Sequence, residues 1–217
     1  LVGDLSVSQA ELLEGVEFLG GISAEQLPFD DGSFDVVVSQ YGMEYAELSP
    51  ALAEAARVLP PTGRLHWLAH SDASVVVEQG RDTLEDIALL LNSHGPFHAM
   101  QDFITAWGRG RKVQRSLAQL TEALKRAEQY CAAHPQAKLV RQLAGAILAT
   151  ANGMEKYRPD DTQRWLDENR RRLEAQQQRL GDLQAACLSP PRKRDLQKLL
   201  ADGPWTDTVM ADLMLGN

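Results

Sequence analysis

The spacing of apolar residues changes at about residue 74, and this change limits the folds open to the chain. Before it, residues 34–39 contain three consecutive valines, a run typical of a strand that is buried on both faces. Residues 50–59 carry apolar residues at helical spacing, and residues 64–70 follow as a further strand. Parallel strands are joined by such a crossover helix, so this part predicts a βαβ unit with a central first strand. A shorter strand is expected at residues 16–19.

From residue 74 to about residue 187 the apolar residues follow helical spacing instead. Their steps of three and four match a coiled-coil seam, so we expect long amphipathic helices arranged as antiparallel hairpins. Asp72 or Ser74 should cap the first helix. Residues 193–201 predict a last helix, and residues 206–215 could return to the sheet. Breaks between helices are expected at Gly95-Pro96, Gly108-Arg109-Gly110, His134-Pro135 and Arg158-Pro159.

Composition narrows the classes of function. The 217 residues include 22 Lys and Arg against 30 Asp and Glu, a net charge of −8 that disfavours a nucleic-acid partner. Cys131 and Cys187 lack disulfide or metal-ligand spacing, so we expect reduced thiols in the core and no metal. No apolar run reaches the roughly 18 residues of a membrane span, and no signal-peptide pattern opens the chain. We therefore expect a soluble, cytoplasmic protein.

One stretch of the sequence is far more specific than the rest. It reads Gly21-Ile22-Ser23-Ala24-Glu25-Gln26-Leu27-Pro28-Phe29-Asp30-Asp31-Gly32-Ser33-Phe34-Asp35-Val36-Val37-Val38-Ser39. It resembles the motif of class I S-adenosylmethionine-dependent methyltransferases (methyltransferase type 11-like), in which a G-D-A-E-x-L-P-F turn ends the third strand and F-D-x-V opens the fourth. Arg57-Val58-Leu59-Pro60-Pro61-Thr62-Gly63 is similar to the R-V-L-x-P-G-G that precedes the family's fifth strand.

The resemblance implies a Rossmann-like α/β sheet, and the helical spacing from residue 74 onward predicts a long all-helical insertion after its fifth strand. We expect residues 1–73 and 188–217 to form the methyltransferase domain. Residues 74–187 would be the insertion, serving as a lid, a substrate wall or a dimerisation arm. The family's glycine-rich opening segment would lie upstream of Leu1, because the sequence begins in what would be the middle of the fold.

S-adenosyl-L-methionine is the cofactor that the resemblance implies, and its ribose and adenine would be held after the second and third strands. Asp4 matches the acidic residue that accepts hydrogen bonds from the ribose hydroxyls, although it could instead cap a helix near Val7. Ser23 stands where the family usually has the aspartate that meets the adenine amino group. Ala24 would offer its backbone amide to the ring. Glu25 is either a site residue or a solvated turn residue.

The methionine end of the cofactor and the acceptor would lie after the fourth and fifth strands. Ser39, Gln40 and Tyr41 correspond to the loop that lines the methionine end, although Tyr41 could equally be a packing residue. His70 ends the fifth strand and is the first candidate for a catalytic base, with a hydrogen-bonded structural role as the alternative. Glu44 and Tyr45 are further candidates for the acceptor pocket. The arginine and lysine runs of the helices are interpreted mainly as solvated faces.

These observations predict methyl transfer to a small-molecule acceptor that the sequence does not name. The competing hypothesis is a noncatalytic protein that keeps the methyltransferase scaffold and binds a partner through its helices. Two features favour it: Ser23 replaces the usual aspartate, and the connection between Asp4 and Val16 is short for a crossover helix. A homodimer through the helical insertion is a further expectation.

Overall fold

The computed structural model describes residues 13–110 and 112–212, so Asp4 lies outside the described residues. The described chain divides into two compact units. The first, here called the N-terminal unit, contains residues 13–68 and 198–208. The second, the helical unit, contains residues 69–110, 112–197 and 209–212. The domain boundaries expected after residues 73 and 187 stay a prediction.

A pair of parallel strands organises the N-terminal unit. These are β1 (Val36–Gln40) and β2 (Arg64–Leu68), in a register that places Val36 opposite Arg64 and Gln40 opposite Leu68. A single 3-10 turn (Met43–Tyr45) and helix α1 (Leu48–Val58) connect them. The predicted βαβ unit is confirmed. One face of α1 is buried, because its apolar residues recur at steps of three and four: Leu48, Ala51, Leu52, Ala55 and Val58.

Two expectations about the strands are wrong. β1 is not buried on both faces: the side chains of Val36 and Val38 are 48% and 70% exposed, since no described residue covers the face on which they lie. β2 is the one strand paired with β1 among the described residues. Residues 16–19 form no strand, and Phe18 is 65% exposed. A strand needs a hydrogen-bonded neighbour, and the described chain supplies none for this segment.

Helices make up the rest of the described secondary structure. They are α2 (Val75–Leu91), α3 (Pro96–Gly108), α4 (Val113–Ala133), α5 (Lys138–Asn152), α6 (Pro159–Ala186) and α7 (Pro190–Asp202), with a 3-10 turn at Met154–Lys156. All four predicted breaks coincide with ends of these helices. Ser74 caps α2, since its hydroxyl oxygen accepts a hydrogen bond from the Val77 amide, whereas Asp72 is not the cap residue.

The helical unit has an apolar core of its own. Side chains from α2 to α6 meet in one buried cluster, whose largest fully buried members include Ile87, Phe97, Met100, Leu120, Ile147 and Leu166. Every regular element in residues 74–110 and 112–187 is a helix. Cys131 and Cys187 are free thiols, as expected, and burial raises the pKa of the Cys187 thiol.

The end of the chain does not rejoin the sheet within the described residues. α7 extends to Asp202, and residues 203–212 contain no strand, so the expected return of the tail is wrong there. The described fold is therefore α/β, mostly helical, with a small parallel sheet. Whether the helices are inserted after the fifth strand of a larger sheet stays a prediction. In residues 13–110 and 112–212, no helix combines the length and apolarity that crossing a membrane requires.

Candidate functional site

The segment before β1 carries three of the predicted site residues and has almost no regular structure. Residues 20–35 contain only an isolated antiparallel bridge, in which the Gln26 amide donates to the Ser23 carbonyl over 3.1 Å. Most of the segment is exposed. A segment without a ladder or a core keeps its shape only if other contacts hold it. Those contacts come from α1.

Glu25 joins the segment to the beginning of α1. Its Oε1 accepts a hydrogen bond from the amide of Glu47, the residue that precedes the helix, over 2.9 Å. A carboxylate at this position also interacts favourably with the positive end of the helix dipole. The hydroxyl of Ser23 donates to the other oxygen, Oε2, of the same carboxylate. Glu25 is therefore a half-buried structural contact and not a freely solvated turn residue.

Arg57 joins the following residues to the end of α1. Its guanidinium donates to the carbonyls of Leu27 and Phe29, over 3.1 and 2.8 Å, and to the Asp31 carboxylate over 2.8 Å. It also forms a two-point pair with Glu54, one turn earlier, with both distances 2.8 Å. Glu54 in turn accepts the Leu27 amide over 2.9 Å. We call Arg57 and Glu54, with these contacts, the α1 brace.

Electrostatics strengthen the α1 brace. The hydrogen bonds from Arg57 lower the pKa of Glu54 from its ordinary 4.5 to about 2, and the bond from the Leu27 amide adds to this effect. The pKa of Arg57 is raised, first by Glu54 and then by Asp31. Both groups therefore keep full charge near neutral pH. Charge-assisted hydrogen bonds of this two-point kind fix direction as well as distance.

The loop after β1 is fixed against β2. The Met43 amide donates to Ser39 Oγ over 2.9 Å, and the Tyr41 amide donates to the Leu68 carbonyl over 2.8 Å. The backbone of Tyr41 has φ +56°, a left-handed conformation that residues other than glycine rarely adopt. Glu44 is 1% exposed, and the indole Nε1 of Trp67 donates to its carboxylate over 3.3 Å.

One contact links the 23–25 turn to the chain that follows β1, and the predicted set of site residues stays a prediction. Glu25 contacts Glu47, which precedes α1, and the 3-10 turn Met43–Tyr45 lies between α1 and the loop that carries Ser39, Gln40 and Tyr41. Gln40 and Tyr41 are exposed at the carboxyl end of β1. His70 belongs to the helical unit, where its carbonyl accepts the Leu188 amide over 2.7 Å.

The turn closed by the isolated bridge offers one hydrogen-bond acceptor and one donor on adjacent residues. Ser23 Oγ donates a hydrogen bond to Glu25 and accepts one from the Glu25 amide over 3.4 Å, so one lone pair stays available to a donor. Within the described part of the chain, no hydrogen bond uses the Ala24 amide, which therefore offers one donor beside that acceptor. A donor and an acceptor on adjacent residues fit the edge of a base. The described residues contain no cluster of three or more metal-ligating side chains.

Sequence reasoning missed the α1 brace, although a signal for it exists. Glu54 and Arg57 are three residues apart, a spacing that places both side chains on the same side of a helix. Their contacts with residues 27–31 could not be read from that spacing, because they join segments more than twenty residues apart in the chain.

Part of the sequence is similar to known proteins. The family model described as "Methyltransferase domain" matches residues 6–67. That segment is similar to part of a methyltransferase domain. It contains the 23–25 turn, the loop after β1 and the α1 brace, and it includes the stretch that resembles the class I methyltransferase motif. The family implies S-adenosylmethionine as the methyl donor.

Individual relatives match over the same region. A ubiquinone/menaquinone biosynthesis C-methyltransferase UbiE of Brucella anthropi is 40% identical over 67 residues, which are 30% of this chain and 25% of the relative. The protein of the same name from Brucella canis is 39% identical over 67 residues, which are 30% of this chain and 24% of that relative. A mitochondrial 2-methoxy-6-polyprenyl-1,4-benzoquinol methylase of Danio rerio is 38% identical over 71 residues, which are 32% of this chain and 21% of that relative. The chain thus spans about a quarter of the length of these relatives. No solved structure matches the chain.

Proposed function

We propose that the chain carries out S-adenosylmethionine-dependent methyl transfer to a small-molecule acceptor. One observation carries the proposal. Residues 6–67, which match the methyltransferase domain, contain a segment that the α1 brace holds and that leads into the parallel strands. In open α/β sheets, ligands bind outside the carboxyl ends of the strands, which is where Gln40 and Tyr41 lie. The residues proposed to contact the cofactor are Asp4, Ser23, Ala24, Glu25, Ser39, Gln40 and Tyr41.

Each of these residues has a definite role in the proposal. Ser23 Oγ accepts a hydrogen bond from an adenine amino group, while the Ala24 amide donates to the ring. The carboxylate of Glu25 orients the Ser23 hydroxyl by accepting its hydrogen bond. Ser39, Gln40 and Tyr41 line the methionine end, and Asp4 accepts from the ribose hydroxyls.

Methyl transfer requires little of the protein besides alignment and exclusion of water. When bound, the cofactor supplies an electrophilic methyl group on a sulfonium, from which the C–S bond breaks as the acceptor atom attacks in line. An acceptor that must lose a proton also needs a base, and His70 is the residue that we propose for this step. Its position in the helical unit would assign that unit to acceptor binding.

The names of the relatives suggest which acceptors to test first. Two of them are named as C-methyltransferases of ubiquinone and menaquinone biosynthesis and one as a benzoquinol methylase. We propose a quinol-type small molecule as the first acceptor class. The net charge of −8 supports a small molecule in preference to a nucleic acid.

Calorimetric titration of the full chain with S-adenosylmethionine and S-adenosylhomocysteine tests the cofactor proposal. We expect binding of both, and transfer of radiolabelled methyl to a benzoquinol in a second assay. Ser23→Ala should weaken the binding of both ligands because it removes the proposed acceptor, whereas Ser33→Ala, at an exposed serine of the same segment, is the matched control and should bind as the wild type does. Binding of neither ligand would contradict the proposal.

The second candidate function is a noncatalytic scaffold that binds a partner through its helices. Ser23 in place of the usual acidic residue favours it, because a hydroxyl offers fewer acceptor sites than a carboxylate. The same titration separates the two candidates, since a scaffold would bind neither ligand. Sedimentation analysis would show whether the helical unit joins two copies of the chain.

A further inference from the structure

The segment that precedes β1 has too little buried apolar surface to hold its own conformation. Among residues 20–35, only Ala24, Glu25, Leu27 and Phe29 are half-buried, and the others are exposed. Its aromatic contact is internal: the rings of Phe29 and Phe34 meet edge to face, with centroids 4.8 Å apart. Fixing a backbone residue in one conformation costs about 1–2 kcal/mol, so an unbraced segment of this length would sample many shapes.

Hydrogen bonds from α1 replace the missing core. Glu47 at the beginning of the helix holds Glu25, and the backbone at the end of the helix holds Gly32 and Phe34. Gly32 donates to the Arg57 carbonyl over 2.9 Å and Phe34 to the Val58 carbonyl over 3.0 Å. The segment therefore runs alongside α1. Among the described residues, the hydrogen bonds that join it to α1 between these two anchors are those of the α1 brace.

Arginine is the side chain that this geometry requires. Arg57 reaches the carbonyls of two alternate residues and a carboxylate while it remains paired with Glu54. Its donors lie in a rigid plane, which lets one group make several directed bonds at once. A lysine ammonium has the charge but not this fork, so it would hold one or two of these acceptors.

We infer that Arg57 and Glu54 are positioning residues for cofactor binding. By fixing residues 27–31 against α1, they hold the Ser23–Glu25 turn in the conformation that receives the base, without contacting the ligand themselves. This inference rests on the proposed function. Without the brace, binding would have to order the segment, and that cost would weaken affinity and make the entropy of binding less favourable.

Calorimetric titration of the full chain with S-adenosylhomocysteine tests the inference, using the wild type, Arg57→Met, Arg57→Lys and Glu54→Ala. We expect Arg57→Met to weaken binding about tenfold, Arg57→Lys to recover part of the loss and Glu54→Ala to weaken binding to an intermediate degree. Arg115→Met, at an exposed arginine of α4, is the matched control and should bind as the wild type does. All titrations are made well below each variant's Tm, where a residue that only stabilised the fold would leave Kd unchanged.

The outcomes distinguish this inference from the proposed function. A wild type that does not bind S-adenosylhomocysteine overturns both. A wild type that binds, with Arg57→Met equal to it in affinity and entropy, overturns only the role of the brace. If Arg57→Met does not fold, amide hydrogen exchange of the wild type decides. We expect slow exchange at Leu27 without ligand, because its amide is bonded to Glu54. Exchange there at the rate of an unstructured chain would overturn the inference.

Discussion

Glu54 makes the stability of the N-terminal unit depend on pH in the acid range. Its pKa is about 2 in the folded protein against an ordinary 4.5, so between these values the unfolded chain binds more protons than the folded one. The stability that Glu54 contributes is therefore complete above about pH 4.5 and is lost as the pH falls towards 2. Glu54→Gln should remove this contribution, so the gap in stability between wild type and variant should be largest at neutral pH.

Urea unfolding at pH 3 and pH 7 measures that gap. Glu128→Gln, at an exposed glutamate of α4, is the control and should show the same small effect at both pH values. A gap for Glu54→Gln that is wider at pH 3 than at pH 7 would contradict the prediction.

Asp86 has the opposite dependence. Burial raises the pKa of this α2 carboxyl, and the nearby charges of Asp82 and Glu85 act in the same direction, while the Tyr130 hydroxyl and His134 oppose it. The folded state then binds more protons than the unfolded state, so this group's contribution to stability falls as the pH rises above about 3.9. Asp86→Asn keeps an oxygen acceptor for the Tyr130 hydroxyl and removes the charge.

We therefore expect Asp86→Asn to gain stability relative to the wild type as the pH is raised. Urea unfolding at pH 4.5 and pH 8 is the measurement, with Asp182→Asn, at an exposed aspartate of α6, as the control. If the free energy of unfolding of Asp86→Asn instead falls relative to that of the wild type at pH 8, the carboxylate is ionised and stabilising in the folded protein. Tyr130 itself titrates too high to interfere, since burial and then Asp86 raise its pKa to about 12.

At the scale of elements, the helices were predictable from the sequence and the environment of the strands was not. Proline and glycine act locally, so breaks such as Gly95-Pro96 and Arg158-Pro159 coincide with helix ends. Whether three valines lie buried on both faces depends on what covers them, and the exposed side chain of Val38 shows that local pattern does not decide this. The expected strand at residues 16–19 failed for the same reason.

Gly95 lies at a close approach between the end of α2 and the beginning of α3. A Cβ placed on it would come within 2.5 Å of the Leu89 carbonyl oxygen and 2.6 Å of that of Leu90. Backbone atoms cannot move aside easily, so Gly95→Ala should lower the free energy of unfolding by about 1–3 kcal/mol. Gly145, inside α5, faces open space, so Gly145→Ala should raise it by about 0.5–1 kcal/mol.

Chemical denaturation of the two variants gives a paired test within one unit. The same substitution is expected to change stability in opposite directions, which separates steric conflict from helix propensity. Equal stabilisation by both alanines would show that α2 and α3 are not packed as closely at Gly95 as described.

For the molecule as a whole, the sequence predicts a candidate site but not what holds its segments in place. The turn of Ser23, Ala24 and Glu25 and the loop after β1 are predicted from residue order alone, because a motif is local. The brace by Arg57 is not, because it depends on how α1 lies against a segment distant in sequence. The sequence predicts His70 at the end of a strand, whereas β2 ends at Leu68 and His70 belongs to the helical unit.

The two units suggest a division of labour that a point substitution can test. A large deletion cannot test it: without residues 110–160 the helical unit would lack Leu120, Val140 and Ile147, which are buried in its core, and it would unfold. Ile147→Ala is the sharper change. Loss of a fully buried isoleucine should lower the stability of the helical unit by about 2–5 kcal/mol. The proposed cofactor residues lie in the other unit or outside the described residues, so affinity for S-adenosylhomocysteine should stay within about twofold.

Leu148→Ala, at the neighbouring and half-exposed position of α5, is the control and should change neither quantity much. The Tm followed by circular dichroism reports the helices, and calorimetry at low temperature reports the cofactor site. If Ile147→Ala keeps its helical signal and still loses ligand binding, the helical unit takes part in holding the cofactor, and its proposed restriction to the acceptor is wrong. If affinity for S-adenosylhomocysteine is unchanged but methyl transfer is lost, acceptor binding belongs to the helices. Methyl transfer needs an aligned acceptor, and the weakened core would no longer hold the surface that aligns it.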